Sequence, residues 1–366
     1  MTHFNYKVQL VPIDSFYFGS TEHFGEKNSN TYILKSERWP QQTSVIGMLR
    51  KELLIQNNLI RVRYNEEEKM AIQQLIGKEG FVFKDEMEET DFGAIKAISP
   101  IMLAGKGQEM YTQCPRDCRT NVNKEYISFE IKRNMIRTFN IEEGKEREVP
   151  YFTISNEEFN PKQGYSNDLV DIKRLRIKKA SECIIKEAEQ VGIHREQEEK
   201  ALYKLTSYKI DRESDLRFVF YMDLDQTKIR HELHSNIIQL GSKNSLFYME
   251  VEKLDNLLSD KEVFESEEWQ KHAAKIEEVS GFKPIWVLSD TYLSQKQLNQ
   301  IEYAVSETKN FRYIYNCSGE HGFRKSKATY QFIARGSVLY CKNSEEVKEL
   351  INGYSFLKQI GYNYVI

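Results

Sequence analysis

The order of apolar runs along this chain constrains its fold more than any single motif does. Runs at 6–18, 94–104, 126–131 and 183–191 alternate or cluster apolar residues as strands do. Between the first two, residues 43–56 place Val45, Ile46, Leu49 and Leu53 at helical spacing, with Leu54 beside them. Residues 66–76 read as a second, charged helix. The second half repeats the theme, with strands predicted over 201–210, 215–225 and 246–253. Further strands at 284–288 and 311–315 bracket a helix predicted over 294–305. A long apolar strand, 329–341, and a capped helix, 344–351, close the pattern.

A strand–helix–strand order occurring twice, with aromatic strands, predicts an α+β protein of two ferredoxin-like (RRM-like) domains with insertions. The length of 366 residues suits two packed domains. The boundary is expected at 195–200, giving an N-terminal domain over 1–198 and a C-terminal domain over 199–366. Residues 142–179 are polar and carry Pro150, Pro161 and a Gly164-Tyr165-Ser166-Asn167 turn. They read as an insertion late in the first domain.

Residues 16–50 carry the strongest functional signal. A strand enters a loop of Gly, Ser, Asn and Lys with aromatics in it, and a helix follows Pro40. Gly19 and Gly25 permit positive φ and close approach of a partner. Ser20, Lys27, Asn28, Ser29 and Asn30 are donors suited to phosphate and ribose oxygens. Phe24 and Tyr32 offer faces on which a base stacks. Thr43 or Ser44 is expected to cap a helix that carries Gly47 and Arg50, leaving amides near its start for an anion. The bland alternative is a plain connecting loop.

Net charge is −3, which excludes a generally basic nucleic-acid binder and confines any RNA contact to local patches. Two candidates are 173–179 (KRLRIKK) and Arg324, Lys325 and Lys327 in the RKSK run, although charge runs are more often solvated faces. The acidic runs at 66–68 and 85–91 are expected to face solvent or a basic partner. Gly336 interrupts the strand at Ala334-Arg335-Gly336-Ser337. It signals either a bulge or an edge at which Arg335 and Ser337 face RNA or a neighbouring subunit.

Four segments together resemble one family. They are FYFGSTEHFGEKNSN with PQQTSVIGMLRKELL, VGIHREQEEKALYKLTSYKI (191–210), IIQLGSKNSLFYMEV (237–251), and ATYQFIARGSVLYC (328–341) with the terminal IGYNYVI. In this order they are similar to the RAMP-superfamily subunit of the Cmr complex, the type III-B CRISPR effector, that caps the crRNA 5′-tag end. The family's C-terminal glycine-rich loop is reduced here to Gly361-Tyr362-Asn363, and Lys243-Asn244 stand in the turn of the third segment. The resemblance implies a non-catalytic subunit of an RNA-guided antiviral complex, with RNA contacts extending to Lys243, Asn244, Gly361 and Tyr362. It implies as partners the crRNA 5′ tag, the large cyclase-type subunit and the first backbone RAMP subunit.

Catalytic signals are sparse. The sequence has no GxxxxGK[ST] loop, no GxGxxG and no His-Asp dipeptide. The alternative reading is a metal-independent endoribonuclease processing repeat RNA, for which His23 in the loop is the candidate base. Cys114 with Cys118 and Cys317 with His321 have spacings a zinc site uses, yet they lie far apart and plain turns are expected. The HELH run at 231–234 lacks the i, i+4 spacing of a zinc helix and reads as a helix face. No metal and no cofactor are expected. Five scattered cysteines suit reduced thiols in a cytoplasmic chain. No apolar run is long enough to span a bilayer, so no membrane partner is expected.

Replacing Lys27 with Ala in the assembled particle should weaken crRNA retention and flatten its salt dependence, because each phosphate contact releases counterions. Equal retention and an equal salt slope would refute the loop assignment.

Overall fold

A computed structural model of the protein describes residues 2–19, 31–61, 63–78, 80–83, 90–119, 124–140, 144–154, 165–180, 185–194, 201–242, 245–316 and 323–366. The chain begins with β1 (His3–Pro12), β2 (Thr31–Lys35), α1 (Gln42–Gln56) and α2 (Glu66–Ile76). Strands β3 (Ile95–Ile98), β4 (Met102–Ala104) and β5 (Met110–Gln113) follow, then the long β6 (Ile131–Asn140) and β7 (Lys145–Ile154). Next come β8 (Leu169–Asp171), β9 (Ile177–Lys178), β10 (Ile185–His194) and β11 (Ala201–Ile210). Strands β12 (Arg217–Leu224), β13 (Asn236–Gln239) and β14 (Leu246–Ser259) lead into α3 (Asp260–Phe264) and α4 (Glu267–Ser280). The last part runs β15 (Lys283–Trp286), β16 (Thr291–Tyr292), α5 (Gln295–Leu298), β17 (Ile301–Val305), β18 (Thr308–Phe311) and β19 (Ile314–Asn316). It ends with β20 (Phe323–Lys325), β21 (Tyr330–Ile333), β22 (Val338–Cys341), α6 (Ser344–Asn352) and α7 (Ser355–Gln359).

Local chemistry explains these elements. In β1, Phe4, Tyr6, Val8 and Leu10 alternate inward with half-exposed residues, the period of a strand with one face on a core. Helix α2 opens on a capping box in which Asn65 Oδ1 accepts from Glu68 N at 2.8 Å and Glu68 Oε2 accepts from Asn65 N at 3.1 Å. Three glutamates in its first turn favour the same end of the helix dipole. Helix α4 starts on Ser266, which accepts from Trp269 N, and stops at Gly281, whose φ of +74° a Cβ would strain.

The class is α+β, with mostly antiparallel sheets and few helices. In the largest sheet β1 lies between β14 and β12 and is antiparallel to both, and β4 flanks β12. Helices α1 and α2 form the crossover from β1 to β3 and β4. A second sheet has the order β15–β22–β17, with β22 antiparallel to both neighbours. The chain end adds to it beyond β15, where Trp286 and Ile366 exchange backbone hydrogen bonds at 2.9 and 3.0 Å. Strands β10, β11 and β2 form a third sheet, with β2 parallel to β11.

Two cores lie on the two faces of the large sheet. One joins Tyr6, Val8, Leu10 and Phe218 to Val45, Leu49 and Leu53 of α1, and continues into Phe311, Phe332 and Phe356. The other joins Phe4, Met102 and Val219 to Trp269, Trp286 and Tyr340. Both cores therefore combine residues from before and after the expected boundary at 195–200, which itself falls between the paired strands β10 and β11.

Several elements depart from the sequence expectation. Residues 126–130 form no strand; Tyr126 and Phe129 are buried three residues apart, which strand alternation does not allow. The helix expected over 294–305 shrinks to α5, begun by the Ser294–Gln297 capping box, and Ile301–Val305 become β17. The long strand at 329–341 is two strands, turned at Gly336, whose φ is +84°. The insertion around 142–180 contains β7, which pairs with β6 along ten residues. Residues 231–234 form no helix, because their amides cap α1: His231 N donates to Asn57 Oδ1 and His234 N to Gln56 Oε1. No helix among the described residues is long and apolar enough to cross a membrane.

Asp117 pins the 114–129 segment to β22. It is fully buried and accepts from Tyr126 Oη at 2.7 Å and Tyr340 Oη at 2.5 Å. Burial pushes its carboxyl up from 3.8 to about 6, and the two phenols only partly oppose this. The folded state thus holds this proton more tightly than the unfolded chain does. Its contribution favours folding at low pH and is lost as pH rises from about 4 to 6, a swing on the order of 3 kcal/mol. The unfolding free energy of the wild type relative to Asp117→Asn should fall over that window in urea titrations. A difference that stays flat from pH 4 to 7 would contradict the assignment.

Candidate nucleic-acid interface

The start of the glycine-rich loop is held by polar contacts at its base. Phe18 N donates to Ser36 Oγ at 2.9 Å, and Glu37 N donates to Gly19 O at 2.9 Å. Gly19 itself has φ +91°, a conformation that favours glycine. Phe16 and Tyr208 exchange backbone hydrogen bonds, which joins the loop's entry to β11. Tyr17 N donates to Ser245 Oγ and Tyr17 O accepts from Ser242 N. Gly241 sits so close to Tyr17 O that a side chain there would collide with it.

Past the loop, the chain meets the fourth sequence segment. The Arg335 guanidinium stacks over Trp39, 4.3 Å from the ring centroid, and donates to Ile101 O. Gln42 Nε2 donates to Ser99 O at the first turn of α1, and Gly361 (φ +86°) packs against both groups with no room for a Cβ. The second, third and fourth segments noted in the sequence therefore all touch one stretch, residues 16–42, which belongs to the first.

Beside this stretch lies a polar cleft of about 540 Å³. Lys35, Arg38, Arg116, Lys309 and Arg335 line it against Glu37, Asp290 and Glu307, an excess of two positive charges in a chain whose net charge is −3. Most of these cations are already matched. Lys309 lies 3.1 Å from Glu37 and 3.5 Å from Asp290. Burial works against its ammonium, yet the two carboxylates outweigh burial and hold its pKa above the usual lysine value. Asp290 is the converse case: burial pushes its carboxyl up, but Lys309 and the Arg335 amide and guanidinium bring it below the ordinary value. Arg116 pairs with Glu307 at 2.7 Å, and Lys35 with Glu187 at 2.8 Å. Arg38 has no carboxylate partner among the described residues. It donates to Asn167 O at 2.9 Å and lies over the Tyr208 ring. Tyr208 is buried, 2% exposed, so its ring supports the guanidinium from below and leaves Arg38 to meet an anion.

The expected site residues distribute unevenly. Ser20, Phe24, Gly25, Lys27, Asn28, Ser29, Asn30, Lys243 and Asn244 lie outside the described residues, as does His23. Gly19 stands at the loop's base, two residues after Tyr17, which pairs with Ser242. Gly47 is exposed on α1 and a Cβ there would meet nothing, so packing within the chain does not require glycine. Arg50 is half-buried near Asp91, and burial holds its pKa below the usual arginine value. Arg324 and Lys325 belong to β20, and Lys327 is exposed.

Other expected contacts turn inward. Arg335 is 7% exposed, and burial lowers its pKa to about 10 although Asp290 opposes this. Ser337 is fully buried and donates to Ala334 O. Gly336 is needed because its Cβ would come within 2.8 Å of Gln113 Cγ and 2.9 Å of Cys114 O. Tyr362 is buried, its hydroxyl facing Gln42 and Thr43 without a hydrogen bond of good geometry. Helix α1 starts at Gln42, after an N-cap, Gln41, with no side-chain cap; Thr43 and Ser44 do not cap it. In the 173–179 run, Lys173 donates to Glu262 O and Glu265 O, Arg174 pairs with Asp171, and Lys178 lies over Tyr111. Cys114 and Cys118 are buried, and burial pushes the Cys114 thiol well up; Cys317 and His321 lie outside the described residues. No group of potential metal ligands occurs among the described residues. Sequence reasoning missed Arg38, Tyr208, Lys309 and Asp290. Only Arg38, beside Trp39 in the first segment, had a local signal.

The model of one family, CRISPR-associated protein (Cas_Cmr3), matches residues 8–366. Among solved structures, a chain of the cryo-EM structure of the type III-B Cmr-beta bound to cognate target RNA is similar, with a TM-score of 0.51 and 12% identity. The match covers 98% of this chain and 96% of that one. A chain of Cmr-beta bound to cognate target RNA and AMPPnP (state 1) matches over the same shares at 12% identity, with a TM-score of 0.49. At such identity the first likeness concerns the fold alone. No curated protein matches the chain.

Removing the Asp290 carboxylate would leave Lys309 and Arg335 buried with less opposing charge. Asp290→Ala should lower the unfolding free energy by about 3 kcal/mol, the low end for a broken buried pair since the group keeps some solvent contact. A loss below about 1 kcal/mol, the range of surface pairs, would contradict this picture.

Proposed function

The chain belongs to the Cas_Cmr3 family of CRISPR-associated proteins, and from that premise we propose that it is a non-catalytic subunit of a type III-B Cmr complex in antiviral defence. In this reading it grips the crRNA 5′ tag, docks the large cyclase-type subunit and contacts the first backbone RAMP subunit. One observation carries the RNA-binding part: the other three segments converge on residues 16–42, beside a cleft with a cationic excess and an Arg38 that has no carboxylate partner among the described residues. Gly19, with nothing within 4 Å of its Cβ position, admits a backbone close by. Arg38, held over the buried Tyr208 ring, supplies phosphate contact. The chain's net negative charge gives no long-range attraction to RNA, so binding is shared with partner subunits in the cytoplasm.

The strand orders support the fold half of the reading. Taking strands by their place in each unit, the chain end–β15–β22–β17 and β14–β1–β12–β4 both follow the order fourth, first, third, second. That is the order of a ferredoxin-like unit with split crossovers. On this reading the first unit closes with β14 and the second opens with β15.

Arg38→Glu in the assembled particle should lower crRNA retention at least tenfold. It should leave the melting temperature near that of the wild type, because Arg38 pairs with no described carboxylate. Retention equal to the wild type would overturn the placement of RNA at this cleft.

A further inference from the structure

A second pocket lies away from the cleft, between the start of β6, helix α4 and the β17–β22 pair. It has a volume of about 210 Å³. Phe129 and Ile131 contribute apolar surface from one element, and Ile276 and Val279 from α4. Among the buried lining atoms that make no hydrogen bond of good geometry are His272 Nε2 and Tyr303 Oη, on side chains that are half-buried. The His272 ring is fixed edge-on against Tyr126, 4.6 Å between centroids. Tyr303 is fixed between Phe152 and Tyr340, at 4.1 and 4.3 Å. Tyr303 Oη faces Ser280, whose own hydroxyl donates to Ile276 O at 2.8 Å. A buried polar atom left unmade is costly, so two of them on one small pocket point to a ligand that completes them.

The surroundings narrow the ligand's chemistry. The pocket opens at the root of the β6–β7 ribbon. Over 131–154 that ribbon carries Lys132, Arg133, Arg137, Lys145 and Arg147 against Glu142, Glu143, Glu146 and Glu148, an excess of one positive charge, with the cations concentrated on its strands. Its side chains are largely exposed, including Met135, Ile136, Phe139 and Tyr151. Lys275 adds an exposed cation at the pocket's rim. A ligand there is small and has apolar faces, hydrogen-bonding atoms on its edge and anionic neighbours. The volume is below the roughly 300–1,000 Å³ of drug-sized sites.

We propose that this pocket receives a single unstacked nucleobase, with His272 and Tyr303 reading its polar edge and the β6–β7 ribbon holding the flanking phosphates. The inference rests on the RNA-binding reading above and adds a contact remote from the loop. Burial lowers the His272 pKa to about 4, so its ring is neutral at physiological pH. One nitrogen then donates while the other accepts, which suits a base edge that alternates donors and acceptors.

The test uses the full chain and free nucleosides, so it does not depend on crRNA or on the cleft. Adenosine and uridine are titrated by saturation-transfer NMR, with ribose as the control. We expect saturable binding of at least one nucleoside and none of ribose. Tyr303→Phe and His272→Phe should each weaken it several-fold, and Ile276→Phe, which fills the slot, should abolish it. Melting curves accompany each variant, and the wild-type titration decides if a variant fails to fold. The proposal is overturned by an absence of saturable nucleoside binding at millimolar concentration, or by equal binding in folded variants. Loss of crRNA in Arg38→Glu together with no nucleoside binding would sink this inference alone. Nucleoside binding with normal crRNA retention in Arg38→Glu would sink the cleft alone.

Discussion

The buried guanidinium of Arg335 is the constraint on which much of the architecture depends. A charge taken out of water must be matched or it unfolds its surroundings. Here the match is assembled from distant parts of the chain: the guanidinium donates to Ile101 O, lies over the Trp39 ring and feels the charge of Asp290, whose carboxylate accepts from the Arg335 amide and pairs with Lys309, itself paired with Glu37. The turn that carries Arg335 also needs Gly336, because the Gln113 side chain and the Cys114 carbonyl lie too close for a Cβ. One ionic cluster thereby fixes how the 36–42 stretch sits against the second sheet.

That fixation matters for function because the same stretch supports the loop. Ser36 and Glu37 bond the loop's base, while Trp39 and Glu37 belong to the cluster. A loop rooted on a rigid base presents its donors without losing its position. The cations inside the cluster are spent on carboxylates. What faces outward is Arg38, beside Tyr208. The arrangement separates structural charge from binding charge within a few residues.

Much of the scaffold was legible in the sequence. The helix at 66–76 followed from its acidic start, and its observed bounds are Glu66–Ile76. The helix predicted from residue 43 begins at Gln42, and the strand predicted over 201–210 forms as Ala201–Ile210. The failures share a cause. Tyr126 and Phe129 looked like strand residues, but they are buried around Asp117, a tertiary pin that no local pattern announces. The 231–234 run looked helical, but its amides were claimed by Asn57 and Gln56 of α1. Ile301–Val305 carried strand propensity that the helix expectation overrode. For the site, the four segments were visible in order, whereas their convergence on residues 16–42 and the partners of Arg335 were not. Arg335 was read as outward because strand alternation does not reveal which face a second sheet will cover.

The account's central claim is that RNA lies against residues 16–39, with Arg38 at the contact. It is tested most directly by mapping photo-crosslinks from 4-thiouridine placed in the 5′ tag of crRNA within the assembled complex. The account predicts linked peptides from the 16–39 stretch and from β11 around Tyr208. Crosslinks confined to other surfaces of the chain, such as α6 and α7, would contradict it.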